Sequence, residues 1–552
     1  MRPTRSDCRR AHSVRKPTVT VQYGMALVGL VLSACSDGLA DRSAAQAEPT
    51  AATATTESHT VDGAAEVALA DADVGRVSLK AADSRNTAPR DGEDWPCFLG
   101  PRADGVSGEK GLRFQWSPSG PPRLWSRRVG TGYSAPSVIG NRLVVHHRLG
   151  DEEIVQCVTA DEGEPLWQHS YTSDFEDPYG YNNGPRCSPL LTPQLCYTLG
   201  ASGKLKCLEL ATGELRWERD LHADFRIPKA FFGVGATPIL EGDRLIVLVG
   251  GQPNSGVVAF NAADGKTIWE SVGRDTWNGV TTDEPGNPKY EWTGDEMVVS
   301  YSSPIAVTIA GPRPVLCLMR QGLVSLDPAD GNVRFRYWFR ARDHESVNAA
   351  RPVVVGNQIF LSAAYRVGSA LLEVDQNDPS QFREVWRNPR VMLTHWSTAI
   401  EKDGYVYGFS GRHENEATLR CVEWATGKLA WETTGFAGQL SDLGQDPQTG
   451  RIVHKETGER IPWPFYGRGS AILADGKFIV LGERGTLATV EVNPKEWVEI
   501  SRCDVDGIRY PAWAAPVLSR KRLFLRSESH LVCLDLAADS DSAASLTEKG
   551  NL

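Results

Sequence analysis

A short pattern returns along most of this 552-residue chain: an apolar strand, a turn with Gly, then a second strand carrying Trp. Two full copies run from Cys157 through Asp161-Glu162-Gly163 to Trp167 and from Cys207 through Ala211-Thr212-Gly213 to Trp217. Others lead from Ala259 through Asp264-Gly265 to Trp269, from Ser325 through Asp330-Gly331 to Phe335, and from Cys421 through Thr426-Gly427 to Trp431. Looser copies run from Leu372 to Trp386 and from Thr489 to Trp497. Asp-Gly and Thr-Gly between short apolar runs are hairpin turns, with Gly supplying positive φ.

A second hairpin precedes each of these. Its first strand opens on a small or polar residue, often before Pro: Ala135-Pro136, Ser188-Pro189, Thr237-Pro238, Ser303-Pro304, Arg351-Pro352, Thr398-Ala399, Ser470-Ala471 and Ala515-Pro516. Each unit is then four antiparallel strands, and radial repetition of such sheets is a β-propeller. The last unit ends at His530–Leu536 with no Trp strand after it, whereas Arg123-Leu124-Trp125-Ser126 has no partner before it. The expected fold is all-β: an eight-bladed propeller of four-stranded antiparallel blades, closed by an N-terminal strand completing the last blade. Closure removes an open edge. Length alone would suggest three or four domains; the repeat makes one ring of it, with hairpin turns behind the surplus of Gly (53 in all) and outer strands behind seven of the 16 Trp.

The turn-and-Trp segments resemble the Ala-x-Asp-x-x-Thr-Gly-x-x-x-Trp docking motif of pyrroloquinoline-quinone (PQQ)-like repeat propellers, the quinoprotein alcohol dehydrogenase-like superfamily. The segment Asp94-Trp95-Pro96-Cys97-Phe98-Leu99-Gly100-Pro101 resembles the lead-in of such proteins in planctomycete-type bacteria. The resemblance covers about 95–536. It implies that Trp125, Trp167, Trp217, Trp269, Trp386, Trp431 and Trp497 dock neighbouring blades. Cys157, Cys207, Cys421 and Cys533 share one strand position and read as small core hydrophobes. Of the 11 Cys, Cys187 and Cys196 form the best remaining disulfide pair, as hairpin neighbours.

Residues 1–34 read as a signal: six basic residues, then an apolar run over Gly24–Leu32 too short to span a membrane. Leu32-Ser33-Ala34-Cys35 follows directly and resembles a bacterial lipoprotein signal, with Cys35 lipidated. Removing 1–34 takes away six positive charges and one negative, so the formal charge moves from −10 to −15, a poor basis for holding nucleic acid. Residues 35–94 contain no Phe, Trp or Tyr before the body begins at 95. They read as a disordered tether reaching roughly 40–45 Å; 537–552 read as a flexible tail.

The connection from each outer strand to the next inner strand should end at the propeller axis. Tyr133, Arg186, Phe232, Tyr301, Asn348, Arg351, His395, Trp396, Arg468 and Trp513 are the candidate funnel residues. Arg and aromatics there would suit a planar or anionic ligand. The long connections Ser271 to Tyr301 and Thr433 to Gly469 carry Trp277, Tyr290, Trp292, Phe436, Trp463, Phe465 and Tyr466, and their length suggests partner binding on that same face.

The quinoprotein dehydrogenases resemble one another in a vicinal Cys pair and a carboxylate and Asn set holding Ca²⁺. This chain has no adjacent Cys pair, and Asn348 has no evident acidic companion. The expectation is therefore a monomeric, non-enzymatic scaffold on a lipid anchor at the periplasmic face of the envelope, with the outer membrane favoured. It would bind an envelope protein or a small anionic or planar ligand, without a cofactor or metal. In architecture it resembles the propeller lipoprotein of the outer-membrane β-barrel assembly machinery. The alternative is a PQQ- and Ca²⁺-dependent alcohol or sugar dehydrogenase with a diverged site.

Overall fold

The computed structural model describes residues 90–228, 232–282, 290–291, 299–341, 346–436, 438–447, 452–459 and 465–538. The signal, Cys35, most of the tether, Trp292, Trp463 and the tail beyond 538 lie outside the described residues.

Eight antiparallel sheets follow one another as blades: 137–172, 190–220, 239–271, 305–338, 353–388, 400–433, 470–504, and 517–535. The eighth is completed by Arg123–Arg128, which pairs antiparallel with His530–Asp535. Among the described residues, helix is limited to Leu221–Asp224 and two 3-10 turns. No helix there is long and apolar enough to cross a membrane. Residues 438–447 and 452–459 belong to a separate small unit, a 3-10 turn at Leu440–Asp442 and the antiparallel pair Leu443–Gln445 and Ile452–His454.

The Trp register is the same in blade after blade. Trp167, Trp217, Trp431 and Trp125 lie opposite Cys157, Cys207, Cys421 and Cys533, and a bulge follows each pair. The indole N–H then crosses to the next blade: Trp125 to the Ala160 carbonyl, Trp167 to Leu210, Trp217 to Ala262, Trp269 to Pro328, Trp386 to Trp424, and Trp431 to Asn493. The rings land on the turn glycines. A Cβ on Gly213 would stand 2.5 Å from the Trp167 ring, so Gly is required both for its φ of +76° and for the approach. Phe335 has no N–H to offer, and blade 5 meets it with Phe382, ring centroids 4.9 Å apart.

Trp497 departs from the expected role. The residue opposite Thr489, where the docking Trp would stand, is Ser501. Its hydroxyl accepts the Trp116 backbone N–H at 3.0 Å, so the N-terminal chain covers this position. Trp497 precedes the strand and is the surface on which Trp431 and Tyr466 land, at 5.9 and 5.7 Å. The expected Cys187–Cys196 disulfide is also absent: both are buried free thiols. They face opposite sides of blade 2, and so enter different core clusters.

The body begins earlier than aromatic content suggests. Arg90 pairs with Asp535 at 3.0 Å, and Asp94 accepts from the Gly140 N–H and from Arg520. From there the chain threads the propeller. Trp95 exchanges backbone hydrogen bonds with Val138 of blade 1, and the Pro96 carbonyl takes the Leu191 N–H of blade 2. Arg351 at blade 5 donates to the Phe98 and Ala103 carbonyls. Val106–Ser107 then adds to Ser470–Ala474 of blade 7 as a parallel fifth strand. Residues 93–107 therefore form a plug across the inner strands.

Candidate functional site: an aromatic cavity above the plug

A cavity of about 200 Å³ draws at least one residue from each of the eight outer-to-inner connections. Tyr133, Arg186, Phe232, Tyr301, His395, Trp396, Arg468 and Trp513 all line it, and Phe98 of the plug lines it too. The convergence follows from the fold, because every connection must climb from the rim to the axis before starting the next inner strand.

Asn348 and Arg351 do not reach this cavity. Asn348 is buried and its side-chain N–H₂ donates to the Met319 and Phe339 carbonyls at 2.9 and 3.0 Å, while its neighbours Val347 and Ala349 face the cavity. Arg351 is 4% exposed and lines a separate cavity, with its guanidinium over the Phe98 ring at 5.1 Å.

The walls are a chain of rings. His395 meets Trp396 at 4.9 Å, Trp396 meets Trp513 at 4.9 Å, Trp513 meets Tyr133 at 4.9 Å and Tyr181 at 5.6 Å, and Phe232 meets Tyr301 at 5.4 Å. Tyr301 is fixed by the Phe232 N–H, which donates to its hydroxyl at 2.8 Å. Tyr179, Tyr181 and Tyr510 are exposed around it.

The two guanidiniums of the cavity are already engaged. Arg186 pairs with Asp177 at 2.6 Å, donates to the Gly184 and Asn182 carbonyls, and lies 5.0 Å over the Phe175 ring. Arg468 holds Glu483 and is sandwiched by Trp396 and Trp513, at 4.9 and 5.0 Å. The free cations expected for an anionic ligand are thus neutralised pairwise. Sequence reading missed both carboxylates, and also Tyr181 and Phe98. Asp177 and Tyr181 stand in an acidic, Tyr-rich connection that could have flagged them. Glu483 comes from a hairpin inside blade 7 and not from a connection that climbs to the axis.

His395 is half-buried, its Nε2 at 3.2 Å from the Tyr365 hydroxyl. Burial, with Arg468 and Arg412 nearby, pulls its pKa down to about 3, so the ring is neutral at ordinary pH. Burial pushes the Tyr133 hydroxyl up. Among the described residues, no three His, Cys, Asp or Glu side chains cluster as metal ligands would. Of the aromatics on the two long connections, Trp277 is fully buried and meets Trp338 edge-on at 5.6 Å, and Tyr466 is buried with its hydroxyl on Glu499. Both are core residues rather than partner contacts. Phe436 and Phe465 meet at 5.8 Å.

A family model described as outer membrane protein assembly factor BamB matches residues 150–433, blades 1 to 6. In structure the chain is similar to BamB from Moraxella catarrhalis at 16% identity and a TM-score of 0.47, over 75% of this chain and 97% of that one. It is similar to a europium-containing methanol dehydrogenase at 12% identity and a TM-score of 0.51, over 78% of this chain and 89% of that one. At such identities the structural likeness shows the fold alone. No curated protein matches the chain. The family match spans just over half of the 552 residues, so this chain belongs to the PQQ_2 family of PQQ-like repeat propellers, whose model is described as outer membrane protein assembly factor BamB.

Proposed function

We propose that the chain is a non-enzymatic scaffold of the cell envelope that holds a protein partner on the face where the aromatic cavity opens. One observation carries the reading: all eight connections converge on an aromatic cavity whose charges are neutralised internally, with exposed tyrosines around it. Tyr and Trp bury much apolar area at little entropic cost and dominate hot spots. Such a socket suits an apolar or aromatic anchor side chain of a partner. The family's description, an outer membrane protein assembly factor, supports an envelope role. Cys35 would carry the lipid and the chain after it would be the tether.

The cavity residues do not fit PQQ. A planar tricarboxylate needs unpaired cations, and Arg186 and Arg468 already hold Asp177 and Glu483. The volume of about 200 Å³ is also below the roughly 300–1,000 Å³ usual for small-molecule sites.

The test places a photo-crosslinking residue at Tyr181 in cells and follows the amount of assembled outer-membrane protein. A discrete crosslinked envelope partner, lost in Trp513→Ala together with a fall in assembly, is expected. Turnover of alcohols or sugars by the purified chain after loading with PQQ and Ca²⁺ would overturn the reading.

A further inference from the structure

On the other side of Phe98 lies a second cavity, of about 370 Å³. Its walls are the plug residues Cys97, Phe98 and Pro101–Ala103 and the inner strands of blades 3 and 4, which the plug leaves uncovered. At its mouth the charges are balanced: Arg102 pairs with Glu93, and Arg313 with Glu241. Inside is Arg351. Its Nε donates to the Ser303 carbonyl at 3.2 Å and its Nη1 to the Phe98 and Ala103 carbonyls. No carboxylate pairs with it, and Asp104 lies beyond ion-pair distance. Nη2 makes no hydrogen bond, yet it is not sealed among the buried unsatisfied atoms, so it stays open to the cavity. A cation this buried, held only by neutral carbonyls, favours an anionic partner.

The strand edges beside it are also open. Val138, Leu191 and Leu473 occupy one quasi-equivalent position on blades 1, 2 and 7, and each gives its N–H to a plug carbonyl. Leu240 and Ala306 stand at that position on blades 3 and 4, half-buried against the cavity, and make no such bond. Leu190, Leu240, Ile305 and Val307 supply the apolar wall.

We propose that this second cavity binds an organic carboxylate with a compact apolar body, the carboxylate on Arg351 and the body against Leu240, Ile305 and Val307. The same chemistry is offered by a free organic acid and by the C-terminal carboxylate of an extended peptide. A peptide would in addition find the open N–H groups of Leu240 and Ala306, as the plug does on Val138.

The test is calorimetric titration and thermal shift of the purified chain with hexanoate against hexanamide, and with the tripeptide Ala-Leu-Leu as free acid against its C-terminal amide. Each acid is expected to bind at least about tenfold tighter than its amide. Arg351→Gln should remove that preference. Arg351 also anchors the plug, so Ala306→Phe provides a second variant: it fills the cavity from a blade edge and should abolish binding while the protein still melts cooperatively. A tripeptide acid about tenfold tighter than hexanoate assigns the site to chain ends; the reverse order assigns it to free acids. Equal binding of acid and amide, retention of binding in Ala306→Phe, or no binding of either acid up to about 10 mM overturns the proposal.

Discussion

Glu483 clamps Arg468. Its two oxygens take the guanidinium at 3.0–3.4 Å, the Arg468 backbone N–H at 2.8 Å, and the Trp513 indole N–H at 2.8 Å. One carboxylate, 1% exposed, thereby cancels a cation and orients two walls of the aromatic cavity. Glu483→Gln should leave Arg468 uncompensated and cost about 3 kcal/mol in urea unfolding. The same variant should give the cavity an affinity for small anions that the wild type lacks, read by titration with benzoate.

Blade docking rests on close approach as well as on turn conformation, and two glycines separate these effects. Gly213 and Gly140 both have positive φ, but a Cβ at Gly140 meets nothing within 4 Å. Gly140→Ala should cost about 1 kcal/mol, the conformational term alone. Gly213→Ala also drives a methyl into Trp167 and should cost about 3 kcal/mol or more. Trp167→Ala should cost about 3–5 kcal/mol. Equilibrium unfolding of the three variants checks the order.

Acid sensitivity follows from two histidines, His147 buried and His395 half-buried. Burial pulls His395 and His147 down to about 3, with Arg468 and Arg526 respectively as the leading charges. In the unfolded chain both titrate near about 6.5. Between those values the unfolded state holds protons that the folded state does not, so stability rises with pH and is lost as pH falls. The slope is up to about 1.4 kcal/mol per pH unit for each histidine. His395→Gln should flatten the stability curve between about pH 6 and 4 by one histidine's share.

All nine described cysteines are free thiols, and all except Cys97 are buried. Burial pushes Cys157 and Cys503 up to about 12 and Cys421 to about 11, which keeps them unreactive. Dithiothreitol should leave Tm unchanged, and iodoacetamide should modify Cys97 first among them in the native protein. A fall in Tm on reduction would revive the Cys187–Cys196 pairing.

Membrane attachment through Cys35 predicts that Cys35→Ala moves the chain from the membrane fraction to the soluble periplasmic fraction. Unchanged sedimentation with membranes would refute the lipid anchor.

The sequence by itself determined the ring. Each Gly-turn and Trp strand encodes a local hairpin, and seven of the eight outer positions could be read from the spacing of aromatics. Even closure was legible, because Trp125 had no strand before it and Cys533 none after it. The eighth outer position is not legible because Trp497 mimics the spacing without the register, and Ser501 fills the docking position opposite Thr489. Eight connections converging on the axis were legible for the same reason, since topology forces them there. What only the tertiary structure decided was the site's charge and depth. Asp177 and Glu483 neutralise Arg186 and Arg468 through contacts specified by side-chain geometry rather than by periodicity. The plug was also invisible: residues 93–107 carry no repeat, and they find their place through single hydrogen bonds to blade edges far along the chain, such as the one from Ser519 to the Glu93 carbonyl across 426 positions. A repeat dictates local hairpins and their succession; a partner chosen once, at long range, leaves no period to read.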